Sequence, residues 1–406
     1  MIFIFLIILV VFIEFFLFFA VNFFRREFPW LITRADERPI LDQNGLKKFF
    51  ENGFDPELGW IRKPNTQKDE HGKFGGTTYH IDPHGNRLNP GHDSFPQYIS
   101  CYGDSFTFAR QVNDNQTWSW YLSSLTHSNV LNLGVGNYGL DQALLRLKRE
   151  FPKQRTKIVI MGVVPSTIVR ILCCWKHYNE FGNTFGFKPM FQLEGNVLKL
   201  IPNPINTKEK FLHYQDYLPL IKKYDYFYKR KFKKEMIGFP YLISILRNPV
   251  RNFSLMYLVV RDKYFSSKKQ QGEGAYPKPM SIIMKTNLKL RHDLFTKNEY
   301  AVALMVKLVE EFVRYAKELN FIPVFLLLPQ KDDVLCIREK GPYYDRFINR
   351  IKDNVTTMDI TSDLLSRHDL DDIYSDDNKY GGHFSNIGNK AVAQLVFEKL
   401  KKEGIY

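Results

Sequence analysis

Cysteine is scarce, with four residues in 406, at Cys101, Cys173, Cys174 and Cys336, and their spacing matches neither a zinc site nor a disulfide framework. That excludes a cystine-stapled scaffold, and Cys101, inside an apolar run, reads as a small core residue. Metal-binding patterns are missing as well. His71, His80, His84 and His92 sit among turn residues at spacings that suit no standard ligand set, so they read as loop histidines. Neither a metal nor an organic cofactor is called for. The composition lacks the signature of disorder: 44% hydrophobic and 25% charged residues can bury a sizeable core.

One long apolar run is present, from Ile2 to Phe24, interrupted by Glu14 and Asn22. It is long enough to cross a bilayer as a single helix. No basic residue precedes it and no small-residue cleavage pattern follows, so an anchor is expected rather than a removed signal peptide. Glu14 within the span is protonated, snorkelled or packed against another subunit. Arg25, Arg26, Arg34 and Arg38 follow the helix, which by charge bias places the body in the cytoplasm.

Two segments carry chemistry. In residues 98–107 an apolar strand breaks at Gly103-Asp104-Ser105, which sets Ser105 at the start of a helix where backbone N–H groups converge. Far downstream, Gly382-His383-Phe384-Ser385 supplies a histidine able to return as its base. Taken alone, Ser105 is an ordinary helix cap and Asp104 a hydrogen-bonding turn residue. Between the two lie Gly134-Val135-Gly136-Asn137-Tyr138-Gly139 and Gly162-Val163-Val164-Pro165-Ser166-Thr167, each closing a buried strand. Polar groups thus gather at the C-terminal ends of successive strands, the edge where open α/β sheets bind ligands.

On these residues the chain resembles the SGNH, or GDSL-type, hydrolase and acyltransferase superfamily over roughly residues 95–400. The resemblance implies a flavodoxin-like three-layer α/β sandwich with a mostly parallel sheet. It also implies Ser105 as nucleophile and His383 as base. At the usual second-block glycine stands Asn137, whose backbone N–H would join that of Ser105 in an oxyanion hole. The usual third-block asparagine donor is missing, and a hydroxyl of Ser166 or Thr167 is what would replace it. Three residues before His383, where the family commonly has an aspartate, this chain has Tyr380. Asp376 and Asp377 are the neighbouring carboxylates that would orient His383, with a Ser–His dyad as the alternative. Many membrane-anchored members modify extracytoplasmic glycans, opposite to the side favoured by charge bias.

The expected organisation is an anchor (1–26), a β-rich preface (27–94) and an SGNH-like domain (95–406) with an insertion at about 175–280. Trp60 in the preface is either part of a sugar-binding wall or a packing residue. The basic aromatic run 222–234 in the insertion suits an anionic membrane surface or a solvated helical face. No recognised nucleic-acid fold accompanies it. Residues 266–275 have the composition of a flexible loop. The expected function is a serine esterase removing acetyl or another short acyl group from a carbohydrate or glycolipid. The alternatives are an O-acyltransferase on the same substrates and a noncatalytic glycan- or partner-binding module. Oligomeric state is not specified by these features.

Overall fold

A computed structural model describes residues 2–27, 43–72, 74–180, 183–265, 278–367, 369–376 and 382–406. Arg34, Arg38, Asp377, Tyr380 and the 266–275 loop lie outside the described residues.

The preface opens with a helix, Gln43–Asn52, followed by the short antiparallel pair β1 (Phe54–Asp55) and β2 (Gly59–Trp60) and the hairpin β3 (Gln67–Gly72) and β4 (Gly75–His80). The core strands are β5 (Ile99–Gly103), β6 (Leu131–Asn132) and β7 (Ile158–Val163). After the inserted hairpin of β8 (Met190–Glu194) and β9 (Val197–Ile201) come β10 (Ile322–Leu327) and β11 (Thr356–Asp359). The central sheet runs β11-β10-β7-β5-β6, with every pairing parallel. Counted within this sheet, that is the 2-1-3-4-5 order of the flavodoxin-like doubly wound fold.

Both faces of the sheet are covered, which explains why its strands are apolar throughout rather than alternating. Tyr102, Met161 and Phe325 face the helices Leu140–Glu150 and Glu299–Leu319 through Leu144 and Leu308. Cys101, Ile160 and Leu326 face the helices Trp118–Thr126 and Asn386–Lys402 through Leu122 and Val392. Each such side chain taken fully out of water contributes about 1.5–3 kcal/mol, so the two layers hold the sheet from either side. The exposed edge at β6 is closed by the preface, where Arg87 N donates to Asn132 O at 2.8 Å.

The insertion extends the core on the Tyr102 face of the sheet. Within the basic aromatic run, Phe227 and Phe232 are buried while Lys229, Arg230, Lys233 and Lys234 point to solvent. The N-terminal helix Ile2–Glu27 packs on the segment that follows, with Val21 buried among Ile237, Tyr241, Ile245 and Leu255. Glu14 meets this same chain: its carboxylate accepts from Tyr241 N at 2.6 Å and Leu242 N at 2.9 Å.

The turn after β5 depends on close approach. Gly103 pairs with Gly162 across β5 and β7, and a methyl group at Gly103 would sit 1.8 Å from Gly162 O and 2.4 Å from Thr107 Oγ1. The space holds the Thr107 hydroxyl, which donates to Gly162 O at 2.7 Å and ties the short helix after β5 to the sheet. Gly103→Ala is therefore expected to lose about 3 kcal/mol or more, read as a shifted urea midpoint at unchanged slope. A loss below about 1 kcal/mol would show that the turn relaxes freely.

Candidate active site

Ser105 begins the short helix Ser105–Phe108 directly after β5 and is almost fully buried. Asp104 caps that helix by accepting from Phe106 N at 2.9 Å, and its other oxygen accepts from Val164 N and Arg170 Nη1, both at 3.1 Å. Burial raises its carboxyl above the usual range, Arg170 opposing. Asp104 thus locks the turn to the end of β7 and leaves the Ser105 hydroxyl clear.

The opposite partner arrives from the C-terminal loop. Tyr374 bridges Phe384, and Ser385 caps the last helix, which holds His383 between two fixed points. Its Nε2 lies 2.9 Å from Ser105 Oγ, and its ring packs on Phe106 at 4.9 Å between centroids.

What meets the other imidazole nitrogen is an amide, not a carboxylate. Gln111 Oε1 lies 2.9 Å from His383 Nδ1. The amide orientation follows from its neighbours: Oε1 accepts from the His383 backbone N–H at 3.0 Å, while Nε2 donates to the His71 carbonyl at 3.2 Å. A main-chain N–H is always a donor and a carbonyl always an acceptor, so the amide cannot be reversed. Nδ1 must then carry the proton, and the Nε2 lone pair faces Ser105. Ser375 Oγ donates to the same Oε1 at 2.8 Å, and Gln111 Nε2 also donates to Asp376 Oδ1 at 3.2 Å. Asp376 therefore stands behind Gln111, one residue removed from the imidazole.

Gln111 reaches this position through an unusual backbone. Ala109 and Gln111 have φ of 58° and 64°, left-handed values that cost a residue with a side chain about 1–2 kcal/mol. The cost is offset by the preface hairpin, where Glu70 accepts from Gln111 N at 3.0 Å and from Arg110 Nε at 2.7 Å. Burial pushes the Glu70 carboxyl up, but Arg110 and the Gln111 N–H outweigh it and leave it below the usual range.

The donors expected for an oxyanion are backbone groups. Asn137 has φ 67°, the left-handed conformation that asparagine tolerates best among residues with a side chain. Trp60 Nε1 donates to Gly136 O at 2.9 Å. In a planar trans peptide this fixes the Asn137 N–H in the reverse direction. Neither Ser105 N nor Asn137 N donates to a protein group among the described residues. A methyl group at Gly136 would lie 3.9 Å from Ser105 Cβ, so this peptide borders the nucleophile. Thr167 Oγ1 accepts from Leu140 N at 2.8 Å, capping the helix after the glycine-rich turn. Ser166 Oγ is enclosed with no partner among the described residues. Two of the histidines expected in loops lie in strands instead, His71 in β3 and His80 at the end of β4, because the hairpin pairs them across its two strands; His80 contacts Asp114 at 2.7 Å, and His92 contacts Asn89 and Ser124 at 3.2 and 3.0 Å.

Beside Gly136 and Asn137 opens a cavity of about 790 Å³, walled by Phe49, Trp60, Tyr79 and Phe185 with Asn52 and Asn183 between them. Trp60 is thus both a wall of this cavity and a structural donor.

No family model matches the sequence, and no curated protein matches it. The chain is similar to solved GDSL-type hydrolases. A lipolytic protein of the G-D-S-L family from Desulfitobacterium hafniense is 12% identical with a TM-score of 0.33, the match covering 75% of this chain and 99% of that one. An esterase from Pseudoalteromonas sp. is 11% identical at TM-score 0.30, covering 76% and 100%. An acetyl xylan esterase from the rumen bacterium Butyrivibrio proteoclasticus is 7% identical at TM-score 0.32, covering 81% and 68%. Likeness at these values carries no inference about chemistry, which rests on the contacts of Ser105, His383 and Gln111.

Burial, with the positive charge of Arg110 next, pushes the His383 imidazole down to about 3. A depressed value keeps the base neutral on the acid side, so Ser105-dependent kcat/KM on a neutral ester should stay level from pH 7 to 5 instead of falling near the ordinary 6.5. Gln111→Glu places a negative charge on Nδ1, favours the imidazolium and should move the acid limb to higher pH. Gln111→Ala should lower kcat about 10²-fold or more with KM little changed, because the tautomer is no longer fixed. An unchanged acid limb in Gln111→Glu would remove Gln111 from the site.

Proposed function

We propose that this chain is a membrane-anchored serine esterase that removes acetyl or another short acyl group from a carbohydrate or glycolipid. The observation that carries it is the 2.9 Å contact of Ser105 Oγ with His383 Nε2, on an imidazole whose tautomer Gln111 sets. Ser105 Oγ attacks the ester carbonyl while His383 Nε2 takes its proton. The Ser105 and Asn137 N–H groups receive the developing oxyanion. Collapse expels the sugar alcohol, which takes the proton back from His383. Water, deprotonated by His383, then attacks the acyl-serine and releases the carboxylic acid. A sugar hydroxyl in place of that water gives O-acyl transfer by the same residues, and the 790 Å³ cavity has room for such an acceptor. Its aromatic walls and interspersed amides suit a sugar ring. A noncatalytic module would have no use for a nucleophile and base held at hydrogen-bond distance.

In the full-length protein, Ser105→Ala should abolish fluorophosphonate labelling and turnover of aryl acetates, and His383→Ala should lower kcat by about 10²–10⁴-fold. Asp376→Asn should have a smaller effect than Gln111→Ala, since it acts through the amide. Labelling that persists in Ser105→Ala would overturn the assignment.

The membrane reading rests on more than the helix alone. The span Ile2–Arg26 has mean hydropathy 3.2 over its most apolar part, enough to cross a bilayer. A signal sequence passes that test too. The body, however, provides a seat for this helix: the Tyr241 and Leu242 N–H groups on Glu14, and an apolar cluster around Val21. Phe239, Ile243, Val250 and Phe253 in the same segment expose apolar side chains next to the helix. A removable leader needs no such seat. Mass spectrometry of the membrane-extracted protein should find residues 2–27 still attached; a mature chain beginning after residue 27 would show that the helix is cleaved.

A further inference from the structure

Arg62 belongs to neither the nucleophile–base set nor the oxyanion donors, yet its surroundings call for a ligand. Its guanidinium carbon lies 4.4 Å from the ring centroid of Tyr79 and 4.2 Å from that of Phe108. It donates no hydrogen bond to any described residue, and its Nε is enclosed without a partner. Neighbouring buried arginines are differently placed. Arg87 donates to Asp114 and to three backbone carbonyls, and Arg146, whose Nε also lacks a partner among the described residues, donates to two carbonyls through Nη1 and Nη2. An enclosed Nε–H without an acceptor on a half-buried cation is costly, so a group left this way in a cavity wall points to an acceptor that binds there.

The position is adjacent to the chemistry. A methyl group at Gly136 would meet Arg62 Nη2 at 3.7 Å and Ser105 Cβ at 3.9 Å, so the guanidinium and the nucleophile flank the same glycine. The charge around it is one-sided. The described lining of the cavity includes Lys48, Lys68 and Arg110 besides Arg62, and no carboxylate. Glu70, the nearby acid, is engaged by Arg110 and the Gln111 N–H. Burial and then the charge of Arg110 pull Arg62 down to about 9, as expected where cations crowd without a bound counter-ion.

We infer that Arg62 anchors a subsite for an oxyanion, a carboxylate or phosphate carried on the carbohydrate whose ester is presented to Ser105, so that the substrate is an acylated acidic sugar. This rests on the reading of Ser105 as nucleophile. The planar fork of a guanidinium matches either group with two parallel N–H donors, and Tyr79 and Phe108 pack against it on two sides.

The test uses the full-length protein in detergent. It compares kcat/KM for acetylated glucuronic acid, its methyl ester, and acetylated glucose 6-phosphate. An anionic substrate should exceed the methyl ester by about 10- to 100-fold, the range of a charge-assisted hydrogen-bonded pair. Which acid leads identifies carboxylate or phosphate. Arg62→Gln should bring the ratio to near unity, with Arg62→Lys retaining part of it. Equal turnover of glucuronate and its methyl ester by the wild type overturns the subsite, and that comparison stands even where Arg62→Gln fails to fold. Calorimetric titration of the Ser105→Ala protein with glucuronic acid or glucose 6-phosphate separates the two readings. Binding without any Ser105-dependent turnover keeps the subsite and removes the esterase; turnover with no binding and no charge preference does the reverse.

Discussion

The buried guanidinium of Arg87 is the joint on which the site depends. Its Nε donates to Asp114 at 2.9 Å, Nη1 to the carbonyls of Phe108 and Ala109 at 3.2 and 2.9 Å, and Nη2 to that of Val112 at 2.6 Å. Its own N–H meets Asn132 in the edge strand. One preface residue thereby holds both ends of the turn that carries Gln111 and fastens that turn to the sheet. A carbonyl in a left-handed turn has no helix or ladder partner, and the guanidinium supplies one several times over. Asp114, in turn, accepts from His80 N at 3.2 Å and so brings in the β4 end of the hairpin whose other strand holds Glu70. The preface and the sheet are joined by one polar network, with the active site at its centre.

How much of this was legible in the sequence follows from what each residue's role depends on. The apolar runs at 99–103, 158–163 and 322–327 are strands because burial on both faces leaves no alternative to them, and that is local information. Ser105 and His383, which the structure brings within 2.9 Å of each other, stand out in the sequence because each follows a glycine turn. Gln111 could not. The sequence offers carboxylates near His383 as orienters, whereas the group in contact is an amide six positions after Ser105. Its aim depends on left-handed angles stabilised by Glu70, and nothing in the run Ala109-Arg110-Gln111 announces them. Arg62 was equally hidden, since its meaning lies in two ring faces and an absent partner. The hydroxyl of Thr167, placed by sequence near an oxyanion, is engaged in capping a helix, a role set by the tertiary position of Leu140.

A neutral orienter changes the electrostatics of the pair. A carboxylate at Nδ1 stabilises the imidazolium directly, whereas the Gln111 carbonyl offers only its dipole and leaves the negative charge of Asp376 one residue further away. Arg110, Arg170 and Arg62 lower the affinity of His383 for a proton. On the proposed mechanism the same cations would favour the negative charge that forms on the substrate as Ser105 adds. The site would then weight its stabilisation toward the oxyanion and away from the imidazolium, the reverse emphasis of a Ser–His–Asp arrangement. An anion seated at Arg62 would cancel part of the positive potential at His383 and raise the basicity of the imidazole at the moment the ester is in place. Charge on the substrate would then serve recognition and proton transfer together, which gives a physical reason for pairing an unpartnered arginine with a base that lacks its acid.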